Sequence, residues 1–306
     1  MDEVARNILD KVAGLKDTPM GAYNIRVDGK SAGRASTENI EISGKEGGKG
    51  IDIIVKPGTK NESVYIPVVI ESSGHQELVY NDFYVGDGCD VVIIAGCGIH
   101  NKGDHLTQHD GIHAFHVGKG SKVKYIEKHY GEGGGGGDRV LNPVTEARLE
   151  EGSYMEMETV QIEGVDSTYR MTKAWLSDGA TLIVREKLMT SGAQTARTEF
   201  QIELDGKGSS ADVVSRSVAK GKSVQEFFAK MNGNNECNGH SECDAIIMDD
   251  ACVRAIPEIT ANNANASLIH EAAIGKIAGE QIIKLMTLGL SRDEAEAEIV
   301  KGFLRG

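Results

Sequence analysis

Cys252, His270 and Glu271 bring a thiol, an imidazole and a carboxylate close together in the stretch 249–280. Sulfur, nitrogen and oxygen donors mixed in one short span suit iron or zinc better than magnesium or calcium, which take oxygen. His270 and Glu271 are adjacent, so on an extended strand they point to opposite faces. At the start of a helix Glu271 would instead complement the dipole, and Cys252 could be a small core residue. Just upstream, Cys237, His240 and Cys243 form a C-x2-H-x2-C spacing that, with Cys252, could hold a structural zinc ion. The segment 96–116 adds Cys97 and five histidines, His100, His105, His109, His113 and His116. The histidines read as solvated loop positions that could also bind a metal or pair across an interface. Cys97 stands as a candidate sulfur relay.

Composition limits what these donors serve. The net charge of -13 argues against nucleic acid and anionic membranes as partners. No run of about 18 apolar residues occurs, and Met1 opens an amphipathic segment without a signal-peptide core, so a cytoplasmic protein is expected. Five cysteines are too few for a disulfide framework over 306 residues and read as reduced thiols or ligands. Aromatic residues are scarce at 5% while glycines number 38, the balance of many tight turns between short strands.

The elements that position the donors follow from a repeat. Gly88, Gly120, Gly152, Gly179 and Gly208 each precede a small residue and then alternating apolar positions, in steps of 32, 32, 27 and 29 residues. A strand-and-turn unit at this step cannot bury its apolar face alone, so the units stack. The expectation is a mainly β chain with a parallel β-helix core over residues 50–261. Cys89 takes the small position filled by Ser121, Ser153, Ala180 and Ser209, which makes it structural. Residues 1–49 are read as a short helix over 1–15 and a mobile connection with at most a strand at Ala22–Val27. Two segments interrupt the repeat: the His-rich 96–116 and the glycine run Gly131–Gly137. The run lacks a following Gly-Lys-Ser/Thr, so it is no phosphate loop and a partner must bring any ATP. From about Asn262 the period turns helical, giving a C-terminal helical domain over 262–306. It is a hairpin with Gly289 ending the first helix and a Ser291–Glu294 capping box opening the second. The last turn, with Ile299, Val300, Phe303 and Leu304, either packs back or docks another protein.

Cys243-Asp244 followed by Ile246-Ile247, Asp250-Ala251-Cys252 before Pro257, His270-Glu271-Ala272, Gly275-Lys276-Ile277, Gly289-Leu290-Ser291 and Gly302-Phe303 together resemble the SufB/SufD family. These are scaffolds of the Suf iron–sulfur cluster assembly system. The likeness is densest over 240–303, runs more loosely back to about residue 60, and is to the compact archaeal or anaerobe type. It implies a right-handed parallel β-helix between helical ends. It also implies a transient iron–sulfur cluster with Cys252 as the cluster-building thiol, Glu271 as its acidic ligand and His270 beside it. Cys243 and Cys97 are possible additional ligands. The His-Glu pair is similar to SufB rather than SufD. The sequence departs from the longer bacterial proteins in a Cys252–Pro257 segment one residue shorter. It also has no Cys between 140 and 236 to match the family's sulfur-accepting Cys within the β-helix.

The resemblance implies a scaffold rather than an enzyme. A homodimer would form through the β-helix, a Suf-type ABC ATPase would dock on the C-terminal helices, and apo iron–sulfur proteins would receive the cluster. No nucleotide is expected on this chain. Alternatives are a SufD-like structural partner without a cluster, the zinc-bearing β-helix, and a β-helix polysaccharide lyase or hydrolase. The last is disfavoured by the low aromatic content and the missing signal peptide.

Overall fold

The computed structural model describes residues 3–305, apart from the side chain of Glu163; Met1 and Asp2, where the expected first helix begins, lie outside it. Helix α1 (Glu3–Ala13) is followed by β1 (Ala22–Val27), β2 (Lys30–Ala35), β3 (Ile40–Gly44), β4 (Gly50–Val55), β5 (Lys60–Ile70), β6 (Gln76–Val85) and β7 (Asp90–His100). Then come β8 (Thr107–Val117), β9 (Lys122–Glu132), β10 (Arg139–Leu141), β11 (Val144–Leu149), β12 (Tyr154–Glu163), β13 (Ser167–Leu176) and β14 (Thr181–Thr190). The chain ends with β15 (Thr195–Leu204), β16 (Ser210–Ala219), β17 (Val224–Gly233), β18 (Asn238–Ile247), β19 (Cys252–Ala261), β20 (Ser267–Gly275), α2 (Gly279–Thr287) and α3 (Arg292–Arg305).

The expected β-helix is present. Successive strands alternate between two sheets, one ordered β2-β1-β5-β7-β9-β12-β14-β16-β18-β20 and the other β19-β17-β15-β13-β10-β8-β6-β4-β3, with β11 beside β8 and β13. Neighbours are parallel along the body, while the antiparallel pairs β1–β2 and β3–β4 lie at the N-terminal end. Strands such as β13 and β14 bury every second residue, and the inward faces form one continuous apolar core from Ala22 to Cys243.

The turn glycines explain the repeat. Gly88, Gly120, Gly152, Gly179 and Gly208 have φ between 62° and 73°, a left-handed conformation that costs other residues roughly 1–2 kcal/mol. Their N–H groups donate to the carbonyls of Lys119, Glu151, Asp178, Lys207 and Glu236 in the next coil at 2.7–3.0 Å. The turns therefore stack as a ladder. Cys89 and its four counterparts are fully buried behind it, which bears out the structural reading of Cys89.

Three expectations change, and one left open between two alternatives is decided. The supposed mobile connection forms β1, β2 and β3, because Ala22, Ile25, Ile40 and Ile42 are buried and anchor it. The His-rich segment does not interrupt the solenoid: its second half is β8, with His109 and His113 buried, while His116 stacks outside on Tyr84 and His105 is exposed in the loop before. Residues Ser267–Gly275 form strand β20, so the helical pair begins only at Gly279. The last turn packs back. Val300 and Leu304 are buried with Val218, and Phe303 lies against the same cluster. The exposed apolar residues fall on α2 and its end instead, at Ile283, Met286 and Leu288. The capping box is as expected, with Ser291 N–H donating to Glu294 Oε2 at 2.8 Å.

Candidate metal centre

The last coil is open. β19 and β20 are the terminal strands of their sheets among the described residues, and their side chains are mostly exposed. Cys252 is the first residue of β19, hydrogen-bonded through its N–H to Ser223 O at 2.9 Å. It is exposed, whereas Cys89, Cys97, Cys237 and Cys243 are buried.

Strand alternation sorts the other donors. On β18 and β20, Ser241, Cys243 and His270 turn inward, while His240, Glu242 and Glu271 turn out. His270 and Glu271 thus point to opposite sides, as their adjacency requires. His270 Nδ1 meets Ser241 Oγ at 2.8 Å, and burial followed by the nearby His240 lowers its pKa. Outside, ligand atoms of His240, Glu242 and Glu271 all lie within 4.8 Å of one another. His240 Nδ1 contacts Asp212 Oδ1 at 2.7 Å and Nε2 faces Glu271 Oε2 at 3.4 Å. Asp212 raises the His240 pKa, and Asp244 raises that of Glu242. A carboxylate behind a histidine fixes its tautomer and orients Nε2, the usual support for a metal-binding imidazole. One nitrogen and two carboxylates suit a divalent iron, manganese or zinc ion.

The alternation removes the zinc reading of Cys237, His240, Cys243 and Cys252. His240 lies outside the sheet and Cys243 inside it, so the spacing cannot converge on one ion. Burial, then Glu186 and Asp244, push the Cys243 thiol up to about 12. Cys252 is not brought to Glu271 within one chain either. The last coil runs out along β19 and back along β20, so Cys252 lies across from the far end of β20. Glu271 is four residues short of Gly275, about 13 Å along the sheet.

Sequence reasoning missed a polar cluster inside the solenoid. Arg170 on β13 pairs with Glu127 on β9, lies 3.8 Å from Glu186 on β14, and donates to His129 Nδ1 at 3.2 Å. Tyr125 donates to Glu127 at 3.0 Å and meets His113 Nδ1 at 2.6 Å. His109 Nδ1 contacts Glu77 at 3.0 Å, and Arg26 reaches the same carboxylate at 2.7 Å. Burial alone would raise Glu77, but His109 and Arg26 hold it down at about 2. Burial likewise opposes ionisation of Glu127, and Arg170, His129 and His113 together outweigh it and hold its carboxyl well below the usual range. Burial lowers His113 to about 4. Cys97 lies beside this cluster, its thiol raised by burial and then by Glu77 and Glu127.

The sequence pattern for the SufBD core domain of the SUF iron–sulfur cluster assembly system matches residues 99–237 and 232–303. The chain belongs to the SufBD family. An iron–sulfur cluster assembly SufBD family protein of Archaeoglobus fulgidus is 30% identical over 249 residues, 81% of this chain and 66% of the relative. One from Methanothermobacter thermautotrophicus is 27% identical over 304 residues, 97% of this chain and 71% of the relative. A chloroplastic SufBD family protein of Arabidopsis thaliana is 24% identical over 227 residues, 72% of this chain and 41% of the relative. Membership carries a role in iron–sulfur cluster assembly. Among the described residues no helix is long and apolar enough to cross a membrane.

Proposed function

We propose that this SufBD chain is a cytoplasmic scaffold, not an enzyme, on which an iron–sulfur cluster is built at the open end of the solenoid. The observation that carries this is Cys252: it is the exposed cysteine, and it sits on the terminal strand of the coil that also carries Glu271. Thiolates are the usual cluster ligands, and mixing in oxygen or nitrogen donors weakens the hold enough for transfer. Iron, as cargo, is received by Glu271 with His240 and Glu242, and Cys252 supplies the thiolate for the growing cluster. His270 orients from inside through Ser241.

One chain spreads these donors apart, which favours assembly by two copies. Among the described residues β19 and β20 each have an edge that pairs with no further strand, a template for another strand. Two copies meeting end to end would cover both edges and the exposed Ile259, Ile269 and Ile274, placing two Cys252/Glu271 sets in one interface. An ABC ATPase of the Suf type fits the apolar face of α2, where Ile283 is 61% and Leu288 74% exposed. ATP is handled by that partner, and apo iron–sulfur proteins take the product.

Anaerobic reconstitution with ferrous iron and sulfide tests the reading. The wild type is expected to retain both, Cys252→Ala to lose them, and Cys243→Ala to behave as wild type. Undiminished retention by Cys252→Ala would instead favour a structural partner without its own cluster.

A further inference from the structure

Between β5, β7, β8 and β9 the solenoid encloses a cavity of about 20 Å³ lined by Cys97, His109, Gly111, His113, Glu127, His129 and others. That is room for one water or one ion. The hydrogen bonds fix what its walls offer. His109 Nδ1 faces the Glu77 carboxylate, which only accepts, so Nδ1 carries a proton and, in the neutral imidazole, Nε2 a bare lone pair. Tyr125 spends its hydroxyl proton on Glu127, so it accepts from His113 Nδ1–H, and His113 Nε2 is bare as well. His129 is the opposite tautomer. Its Nδ1 accepts from Arg170, which leaves Nε2–H aimed at Glu127 3.6 Å away.

The two bare Nε2 atoms flank Gly111. A Cβ there would stand 3.4 Å from each of them, so the missing side chain is what keeps the space between them open. Among the described residues neither Nε2 has a protein donor, although both imidazoles are more than nine-tenths buried. The charge count points the same way. With the imidazoles neutral, Glu77, Glu127 and Glu186 have Arg26 and Arg170 as their cations among the described residues, beside His75, His109, His113 and His129: three negative groups against two positive, inside a core where an unbalanced charge is costly. A thiolate at Cys97 would make the surplus two, which a divalent cation cancels.

We propose that this cavity binds a borderline divalent transition ion, iron(II) or zinc, through Cys97 Sγ, His109 Nε2 and His113 Nε2, with water as fourth ligand. Two imidazoles and a thiolate are an ordinary donor set for such ions, and Glu77 and Tyr125 are the outer partners that orient the two histidines. Binding displaces the Cys97 thiol proton to solvent. No three of these donor atoms lie within 4.8 Å of one another among the described residues, so they draw together around the ion. The ion is a resident of the fold, separate from the cargo at the open end, and lies where α1 and the first coils meet the body.

Cobalt(II) is the probe, incorporated by expression in zinc- and iron-depleted medium supplemented with cobalt. The full chain carries Cys252→Ala and His240→Ala, so that the open end cannot supply a thiolate or imidazole. One cobalt per chain with thiolate-to-cobalt absorption is expected. Gly111→Ala, whose backbone suits alanine and whose methyl would fill the cradle, should lose both while keeping native circular dichroism. Cys97→Ser should lose the thiolate absorption. Cobalt-free protein, which leaves water as the guest, or thiolate absorption that survives Cys97→Ser, overturns the proposal.

Discussion

Replacing Arg170 by Met is the sharpest test of how the interior is held together. Arg170 is the cation between Glu127 and Glu186, it is 4% exposed, and it also bonds His129. Methionine fills similar volume, so the cavity cost is small and the main loss is electrostatic. Removing one partner of a buried ion pair typically costs about 3–5 kcal/mol, because the other charge is stranded. Here two carboxylates lose their cation, although Glu186 keeps hydrogen bonds from Thr198 at 2.9 Å and Ser215 at 2.6 Å. The expected destabilisation is therefore about 3–5 kcal/mol at neutral pH, with Glu127 bearing most of it. Urea unfolding followed by circular dichroism measures it. Without Arg170, Glu127 holds its proton to higher pH, so the loss should shrink as pH falls. Adding Glu127→Gln should recover part of the stability, at least about 1 kcal/mol. A loss under about 1 kcal/mol, the range of an exposed pair, with no pH dependence, would refute the reasoning.

Other outcomes follow from the same structure. Of the five thiols, Cys252 alone should react with a thiol reagent in the native protein near neutral pH, and all five after unfolding; rapid native labelling of Cys243, whose pKa stands at about 12, would contradict its inward placement. Gly120→Ala and Gly208→Ala should each lower stability by about 1–2 kcal/mol through strained φ, while Gly302→Ala, in the last turn of α3, should stabilise slightly. Leu304→Ala should cost about 2–4 kcal/mol of local stability around α3, seen as faster amide exchange. Leu288→Ser should leave folding unchanged and weaken capture of a Suf-type ATPase in a pull-down.

What could be read in advance depended on which way each strand faces. The five turn glycines announced the solenoid because one backbone conformation recurs in every coil and admits little else. Cys89 was legible for the same reason. β8 was not: Thr107, His109, Gly111 and His113 take the inward positions, so polar residues occupy the places where apolar ones signal a strand. Only Phe115 and Val117, at the same period of two, hinted at it. β20 was read as helix because an open-edge strand has no buried face to enforce alternation, and Ala272 and Ala273 suit either state. For the site, the opposition of His270 and Glu271 followed from adjacency alone. The approach of His240 and Glu242 to Glu271 could not be read, because it depends on the exact register of β18 against β20.

The central claim is that the open end builds the cluster, and Mössbauer spectra of protein reconstituted anaerobically with iron-57 and sulfide address it most directly. Wild type should show the quadrupole doublets of a sulfide-bridged cluster, Cys252→Ala should show only unbridged ferrous iron, and Glu271→Ala a diminished cluster signal. A wild-type cluster spectrum left intact by both substitutions would contradict the account and move the site away from the last coil.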